Sequence, residues 1–338
     1  MRMLVLGGTR FLGRHIAEHA VECGHDVTLF HRGKSLPEGV PGAASIIGDR
    51  SSDLNRIAGR YDAVVDTCGF FPRDVAASCR YVRSSSPDAA YVFISSINAY
   101  RDDCPPGADE SAPVWDTGDP DATEITPENY GPLKASCERT VAEAFAERAT
   151  IVRPGLIVGP YDGTDRFTYW VRRVARGGTT LAPGLPQRRV QLIDARDLAE
   201  WIVALLQARR SGSFNATGPG YDLTMGALLD ECRDELRSGA EFAWASEEFL
   251  REHQVAPWTE MPLFVPAEEG QGWDTISSAR AVAAGLAYRP LRATVCDTWE
   301  WDRGRDQSVP MKSGITAERE AALLAALAAG AERSLMRP

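Results

Sequence analysis

Met3-Leu-Val-Leu-Gly7-Gly-Thr-Arg10-Phe-Leu-Gly13 is the stretch that decides the fold. Four apolar residues suit a short strand buried on both faces, and Gly7 and Gly8 break it sharply. From Phe11 onward the apolar positions take a helical period, Leu12, Ile16 and Ala20, with Ala17 and Val21 widening the face. Strand, glycine turn and helix make half of a dinucleotide-binding unit. Gly7 allows the tight turn, and Gly13 lets the helix lie close to the strand. Free N–H groups at the helix start face a pyrophosphate there, where the helix dipole favours negative charge. Gly7, Thr9, Arg10, Phe11, Leu12 and Gly13 are therefore the first candidate cofactor contacts.

The bulk numbers are ordinary for a soluble globular protein. The chain has 338 residues, 25% charged and 44% hydrophobic, enough for a large core. A net charge of −10 and a pI near 5.1 argue against a nucleic-acid partner, which usually needs a basic face. A strand starting within three residues of Met1 leaves no room for a signal peptide, and no apolar run is long enough for a membrane span. A cytoplasmic protein is expected. Seven scattered cysteines without a Cys-x-x-Cys pair read as reduced thiols. His15 and His19 are four apart on a helix, but no Glu or Cys completes a metal site, and none is expected.

Further strands follow at 26–30, 44–47, 62–66, 90–94 and 150–154, separated mainly by helices. Six strand signals in that rhythm mean a parallel, doubly wound α/β sheet of the Rossmann kind. Arg32 stands just after the second strand, where an arginine accommodates the 2′-phosphate of NADP and an acid would bind the NAD ribose. NADP(H) is thus the preferred cofactor, with NAD(H) as the other option, and Lys34 or Arg10 as helpers of Arg32. Asp49 and Arg50 close the third strand where the adenine would lie, and Cys68 follows the fourth among small residues that leave room for the cofactor. Residues 101–125 are acidic and aperiodic, either a flap beside the site or a solvated insertion.

The second half is less regular. A basic-aromatic helix is expected over 166–176, a strand over 189–193, a helix to Leu206, and a strand over 213–216. Helices at 224–237, 246–253 and near 277–284 follow, with a strand at 240–245. The organisation expected is a nucleotide-binding domain over 1–160, completed by about 189–218, and a smaller α/β substrate lobe over 161–188 and 219–310. An amphipathic helix within 311–338 ends the chain. Phe70, Arg166, Tyr169, Trp170, His253 and Trp258 are positioned to line a pocket, although ordinary packing explains aromatics equally well.

The chemistry comes from Tyr130 and Lys134, four apart on the helix after the fifth strand, with Ser95-Ser96 ending that strand. A tyrosine with a free pKa of about 10 needs a nearby cation to lose its proton near neutrality. It can then exchange a proton with a hydroxyl or carbonyl while hydride moves to or from a nicotinamide. Gly7-Gly-Thr-Arg-Phe-Leu-Gly13, Ser96, Tyr130-x-x-x-Lys134, Arg153-Pro154 and Asp194-Ala-Arg-Asp197-Leu-Ala together resemble the extended short-chain dehydrogenases/reductases, the epimerase/dehydratase-like group, over roughly residues 1–300. The resemblance implies a catalytic triad of Ser96, Tyr130 and Lys134, with Lys134 also on the nicotinamide ribose, and a monomer or homodimer. Ser96 is chosen over Ser95 because the family's serine lies four residues before a tyrosine such as Tyr100.

Two positions depart from that group. Arg10 replaces the middle glycine of the fingerprint, as in an atypical subgroup that includes chloroplast RNA-associated proteins. Ile97-Asn98 replaces the Asp-Glu pair of the sugar-nucleotide dehydratases, which disfavours water elimination. The reading that results is an NADP(H)-dependent ketoreductase or alcohol dehydrogenase acting on a small molecule. The alternative is an NAD(P)-dependent epimerase of a sugar nucleotide or related metabolite. A non-catalytic nucleotide sensor is a third class, and the intact triad weighs against it.

Overall fold

Met3 and Val5 face one way from the first strand and Leu4 and Leu6 the other, and all four are buried. A strand covered on both sides needs helices on both sides, which is the condition for a parallel sheet. The computed structural model describes residues 1–35, 39–266 and 272–335. Its first stretch holds β1 (Arg2–Leu6), α1 (Phe11–Glu22), β2 (Asp26–His31), β3 (Ala44–Ile47), β4 (Ala63–Asp66), α2 (Pro72–Ser85), β5 (Ala90–Ile94), α3 (Pro127–Phe145) and β6 (Ala149–Pro154). Next come β7 (Ile157–Val158), α4 (Arg166–Ala175), β8 (Gly178–Pro183), β9 (Ile193–Asp194), α5 (Ala195–Gln207) and β10 (Gly212–Ala216). The remainder is α6 (Met225–Glu235), β11 (Ala240–Ala245), α7 (Glu247–Glu252), α8 (Ala279–Ala283), α9 (Leu291–Arg303) and α10 (Ala317–Leu335).

Two units emerge. The first comprises Met1–Ile157, Leu192–Gly218 and Thr275–Tyr288. It is built on a seven-stranded sheet in the order β3-β2-β1-β4-β5-β6-β10, parallel throughout. Leu4 pairs with Thr28 on one side and Val64 on the other, so the order reverses direction at β1. Such a switch point opens a crevice at the carboxyl ends of the strands. Ile16 and Ala20 of α1 and Ile202 and Leu206 of α5 bury one sheet face, and Val75 and Val82 of α2 with Val141 and Phe145 of α3 bury the other. The architecture is a doubly wound Rossmann-type α/β fold.

The second unit comprises Val158–Gln191, Pro219–Asp274 and Arg289–Pro338. Its two strands, β8 and β11, run parallel with Leu181 opposite Ala243. Buried Glu320 on α10 accepts from Arg173 of α4, from Arg176 just past that helix and from the Leu181 amide of β8, tying α4, β8 and α10 together through one carboxylate. The last three residues of the expected tail, 336–338, lie outside the described residues.

Three expectations change. The strand expected over 189–193 is reduced to Ile193–Asp194, because the Val190 and Leu192 amides bond to Leu223 and Gly218 in loops instead of to a strand. Residues 178–183 and 291–303 form a strand and a helix that were not foreseen. The acidic 101–125 segment is docked on its own unit. The Trp115 amide bonds to Ala99 O, the Gly118 amide to Ser136 Oγ, and Arg73 and Arg139 hold the Ala122 and Trp115 carbonyls. These four bonds hold the segment through its backbone groups against α2, α3 and the turn after β5.

Candidate active site

Gly7 and Gly8 have φ of +105° and +75°, a region closed to most side chains, so the chain can leave β1 and turn at once into α1. A Cβ on Gly13 would sit 2.8 Å from the Gly8 amide nitrogen, so the helix approaches the turn as closely as two backbones allow. No side chain caps α1, and its first turn holds no acid. The amide donors of its first turn therefore suit an anion. These features fit the pyrophosphate of a dinucleotide. Thr9 and Leu12 are buried, Leu12 within the core against the sheet, so only backbone groups of Leu12 suit a ligand. Phe11 turns its ring edge toward His15.

Arg32 and Lys34 are exposed just beyond β2. Asp49 accepts from the Ser51 amide at 2.9 Å and hydroxyl at 2.6 Å. Those bonds, with the charges of Arg32 and Lys34, hold its carboxyl below the usual carboxylate range. Arg50 is placed differently from the expectation. Its guanidinium makes a bidentate pair with buried Asp66 at 2.8 Å and donates to Ser78 Oγ at 2.9 Å, so its two terminal nitrogens serve the protein's interior. Burial pushes the Asp66 carboxyl up, and Arg50 with the Tyr91 hydroxyl outweighs that and holds it below the usual range. Burial raises the Cys68 thiol to about 11, so it is a small neutral group near neutral pH.

The three chemical residues sit on two elements of this unit. Ser96 ends β5 and caps a 3₁₀ turn at Ile97–Ala99, its Oγ donating to Asn98 Oδ1 at 2.9 Å and accepting from the Asn98 amide at 3.1 Å. Thr126 and Asn129 form a reciprocal capping box at the start of α3, with Pro127 in the first position. The helix therefore begins at Pro127 and continues past Pro132 to Phe145. A Cβ on Gly131 would collide with the Asn98 carbonyl oxygen, so the turn carrying half-buried Tyr130 lies directly against the turn that Ser96 caps. One turn on, Lys134 is buried, donating to Ile94 O at 2.6 Å and Gly69 O at 2.9 Å. Its ammonium lies 4.3 Å from the Phe93 ring centroid and 5.4 Å from that of Phe70. Burial pulls its pKa down to about 8.

A second buried network supports this one and was not foreseen. Ser95 donates to Glu138, the next residue along the Lys134 face of α3, and Glu138 pairs with Arg153 through both carboxylate oxygens. Arg153 donates to Tyr100 Oη at 2.9 Å, and Tyr100 donates to Asn215 Oδ1 at 2.7 Å. The two adjacent serines are thus divided: Ser95 faces inward to a carboxylate, and Ser96 faces the Asn98 turn. The spacing of Lys134 and Glu138 was the available signal.

In the second unit Trp170 is core, its Nε1 bonded to Pro262 O, and Tyr169 is buried beside it. His253 stacks on Phe249. Arg166 lies 5.4 Å from the Trp258 ring centroid. Among the described residues no group of three or more His, Cys, Asp or Glu side chains is arranged to hold a metal ion. No described helix is long and apolar enough to cross a membrane.

Comparison with known proteins agrees with this geometry. The model of the NAD-dependent epimerase/dehydratase family matches residues 3–217. The chloroplast stem-loop binding protein of 41 kDa b from Arabidopsis thaliana is 26% identical over 248 residues, 68% of this chain and 62% of that protein. The chain thus spans under two thirds of that relative's length. Among solved structures, WbmH of Bordetella bronchiseptica in complex with NAD+ is similar with a TM-score of 0.64 at 16% identity, covering 90% of this chain and 98% of that one. The UDP-N-acetylglucosamine 4-epimerase of Bacillus cereus is similar with a TM-score of 0.64 at 16% identity, covering 90% and 100%. The UDP-glucose 4-epimerase of Thermotoga maritima, solved with UDP-glucose, gives 0.62 at 17% identity, covering 90% and 99%.

Proposed function

The chain belongs to the NAD-dependent epimerase/dehydratase family of short-chain dehydrogenase/reductase-type enzymes, and from that premise we propose that it is an NAD(P)-dependent epimerase of a sugar nucleotide or related small molecule. The observation that carries the reading is the Tyr130–Lys134 pair one helical turn apart, packed by Gly131 against the turn that Ser96 caps. Similar folds in sugar-nucleotide epimerases support it over net reduction. The α1 amides and glycine turn would hold the dinucleotide, Lys134 its nicotinamide ribose, and Thr9, Asp49 and Cys68 its flanks. When bound, that group supplies the hydride acceptor and donor.

The chain's own residues handle the proton. Tyr130 accepts the substrate hydroxyl proton and later returns it, Ser96 orients the same oxygen, and the Lys134 ammonium favours the phenolate form of Tyr130. Ile97 and Asn98 stand where a dehydratase would need its acid and base pair, so elimination is disfavoured. The first unit is the dinucleotide-binding body and the second selects the substrate. The protein is a cytoplasmic monomer or homodimer with no nucleic-acid partner, in keeping with its net charge of −10.

The test is turnover of UDP-glucose and related sugar nucleotides with catalytic NAD(P)+, followed by separation of epimers. Tyr130→Phe is expected to abolish turnover while leaving dinucleotide affinity within about twofold, and full activity in that variant would remove Tyr130 from its role. A second reading, an NADP(H)-dependent ketoreductase or alcohol dehydrogenase, is favoured by Arg32 and Lys34 beyond β2. It predicts stoichiometric NADPH consumption. Arg32→Ala then lowers NADPH affinity about tenfold relative to NADH, and an unchanged preference removes the NADP argument.

A further inference from the structure

Arg10 stands where the fingerprint has its middle glycine, and its side chain reaches toward the loop after β2: its Nε donates to Ser35 Oγ at 2.5 Å. Ser35 closes the run Arg32-Gly-Lys-Ser35, so one hydrogen bond joins Arg10 to the segment carrying Arg32 and Lys34. Arg10, Arg32 and Lys34 are all exposed. Among the described residues none of the three forms an ion pair. Asp49 feels the charges of Arg32 and Lys34 but spends its hydrogen bonds on Ser51, and Asp66 is paired with Arg50. His31 holds the same loop from within, its Nδ1 accepting from the Gly33 amide at 3.1 Å.

Arg32 and Lys34 on one loop, with Arg10 tied to it from the turn before α1, are three like charges without a hydrogen-bonded carboxylate, a set that suits a ligand carrying two negative charges. The α1 amides already suit the pyrophosphate, which NAD and NADP share. The group that distinguishes NADP is the phosphate on the adenosine ribose, and the residue after β2 is where that ribose is met. We propose that Arg10 is a specificity-determining residue for the 2′-phosphate of NADP(H), held in that role by Ser35. The proposal rests on the NADP(H) reading of the cofactor and is independent of whether the enzyme epimerises or reduces. It turns the departure at position 10 from a lost glycine into a gained phosphate ligand.

The test is equilibrium titration of the full chain with NADPH and NADH, read by nucleotide fluorescence, and with 2′,5′-ADP and 5′-AMP, read by calorimetry. Arg10 is exposed and caps no helix through its side chain, so Arg10→Met should fold. It is expected to weaken NADPH and 2′,5′-ADP by about tenfold or more and to leave NADH and 5′-AMP within about twofold. Ser35→Ala should give a smaller loss with the same selectivity, and Arg10→Lys should recover part of it. Equal weakening of NADPH and NADH would place Arg10 on the shared pyrophosphate and overturn the proposal, as would no weakening of NADPH in a wild type that prefers it. A wild type that binds NADH as tightly as NADPH overturns the NADP(H) reading itself, and the role of Arg10 with it.

Discussion

Lys134 carries a charge in a place that resists charge, and its titration can be followed in two directions. Burial lowers its pKa from 10.5 to about 8 in the folded chain. Below pH 8 both states are protonated and the buried charge opposes folding. Between about 8 and 10.5 only the unfolded state keeps the proton, so stability should rise with pH across that window. Denaturant midpoints should show the rise in the wild type and lose it in Lys134→Met. Catalysis runs the other way. The ammonium that favours the Tyr130 phenolate disappears as pH rises through about 8, so kcat/KM should fall with a limb near 8. A limb that stays in Lys134→Arg would assign it to another group. The residues of this site were legible because each is a local signal: Tyr130 and Lys134 by their spacing, Ser96 by the strand end. The pairing of Arg50 was hidden for the opposite reason. Its partner, Asp66, is sixteen residues away in sequence and meets it only when β3 and β4 take their places in the sheet.

At the level of elements, the contact between α3 and the 3₁₀ turn after β5 sets how Tyr130 and Lys134 stand to Ser96. Gly131→Ala would drive a methyl group into the Asn98 carbonyl oxygen, and the backbone on both sides must part. The expected cost is about 1–3 kcal/mol in stability. A displacement near 1 Å at this joint would lower kcat on the order of 100-fold, with little change in dinucleotide affinity. Chemical denaturation and steady-state kinetics on the same preparation check both, and unchanged kcat would show that the joint does not set the geometry. The elements themselves were legible where the buried face is apolar, as in α1 and β1. In α9 the buried positions include Thr294, Thr298 and Asp302 alongside Leu291 and Val295. Their helical period is intact, but half of the stripe is polar and hides from a hydrophobic pattern. In β8 the four residues 179–182 are flanked by Gly178 and Pro183, and the signal is too short to stand out from a turn.

Across the whole molecule, each unit holds a buried ion pair at its centre. Asp66 and Arg50 lie in the first, and Glu320 with Arg173 in the second. Removing one partner of a buried pair leaves the other charge uncompensated, at a cost on the order of 3–5 kcal/mol. Asp66→Asn and Glu320→Gln should each lower the denaturant midpoint by an amount of that order. They share no partner, so the losses in the double variant should add to within about 0.5 kcal/mol. A clear excess or shortfall would show that the two pairs are energetically coupled. The division into units was not written in any one residue. The chain enters the second unit at Val158, returns at Leu192, leaves at Pro219, and crosses twice more at Thr275 and Arg289.

The two carbonyls that Lys134 satisfies, Gly69 O and Ile94 O, stand just past the end of β4 and at the end of β5. An ammonium bonded to both is a rivet between adjacent strands as well as a reagent. Deleting it would strand two acceptors in a dry interior, whatever happened to the chemistry. A descendant of this fold that abandoned hydride transfer would therefore still be under pressure to retain the lysine. Its presence is a sign of an intact sheet end first and of an active enzyme second, and Tyr130 is the residue whose loss would mark the chemistry as gone.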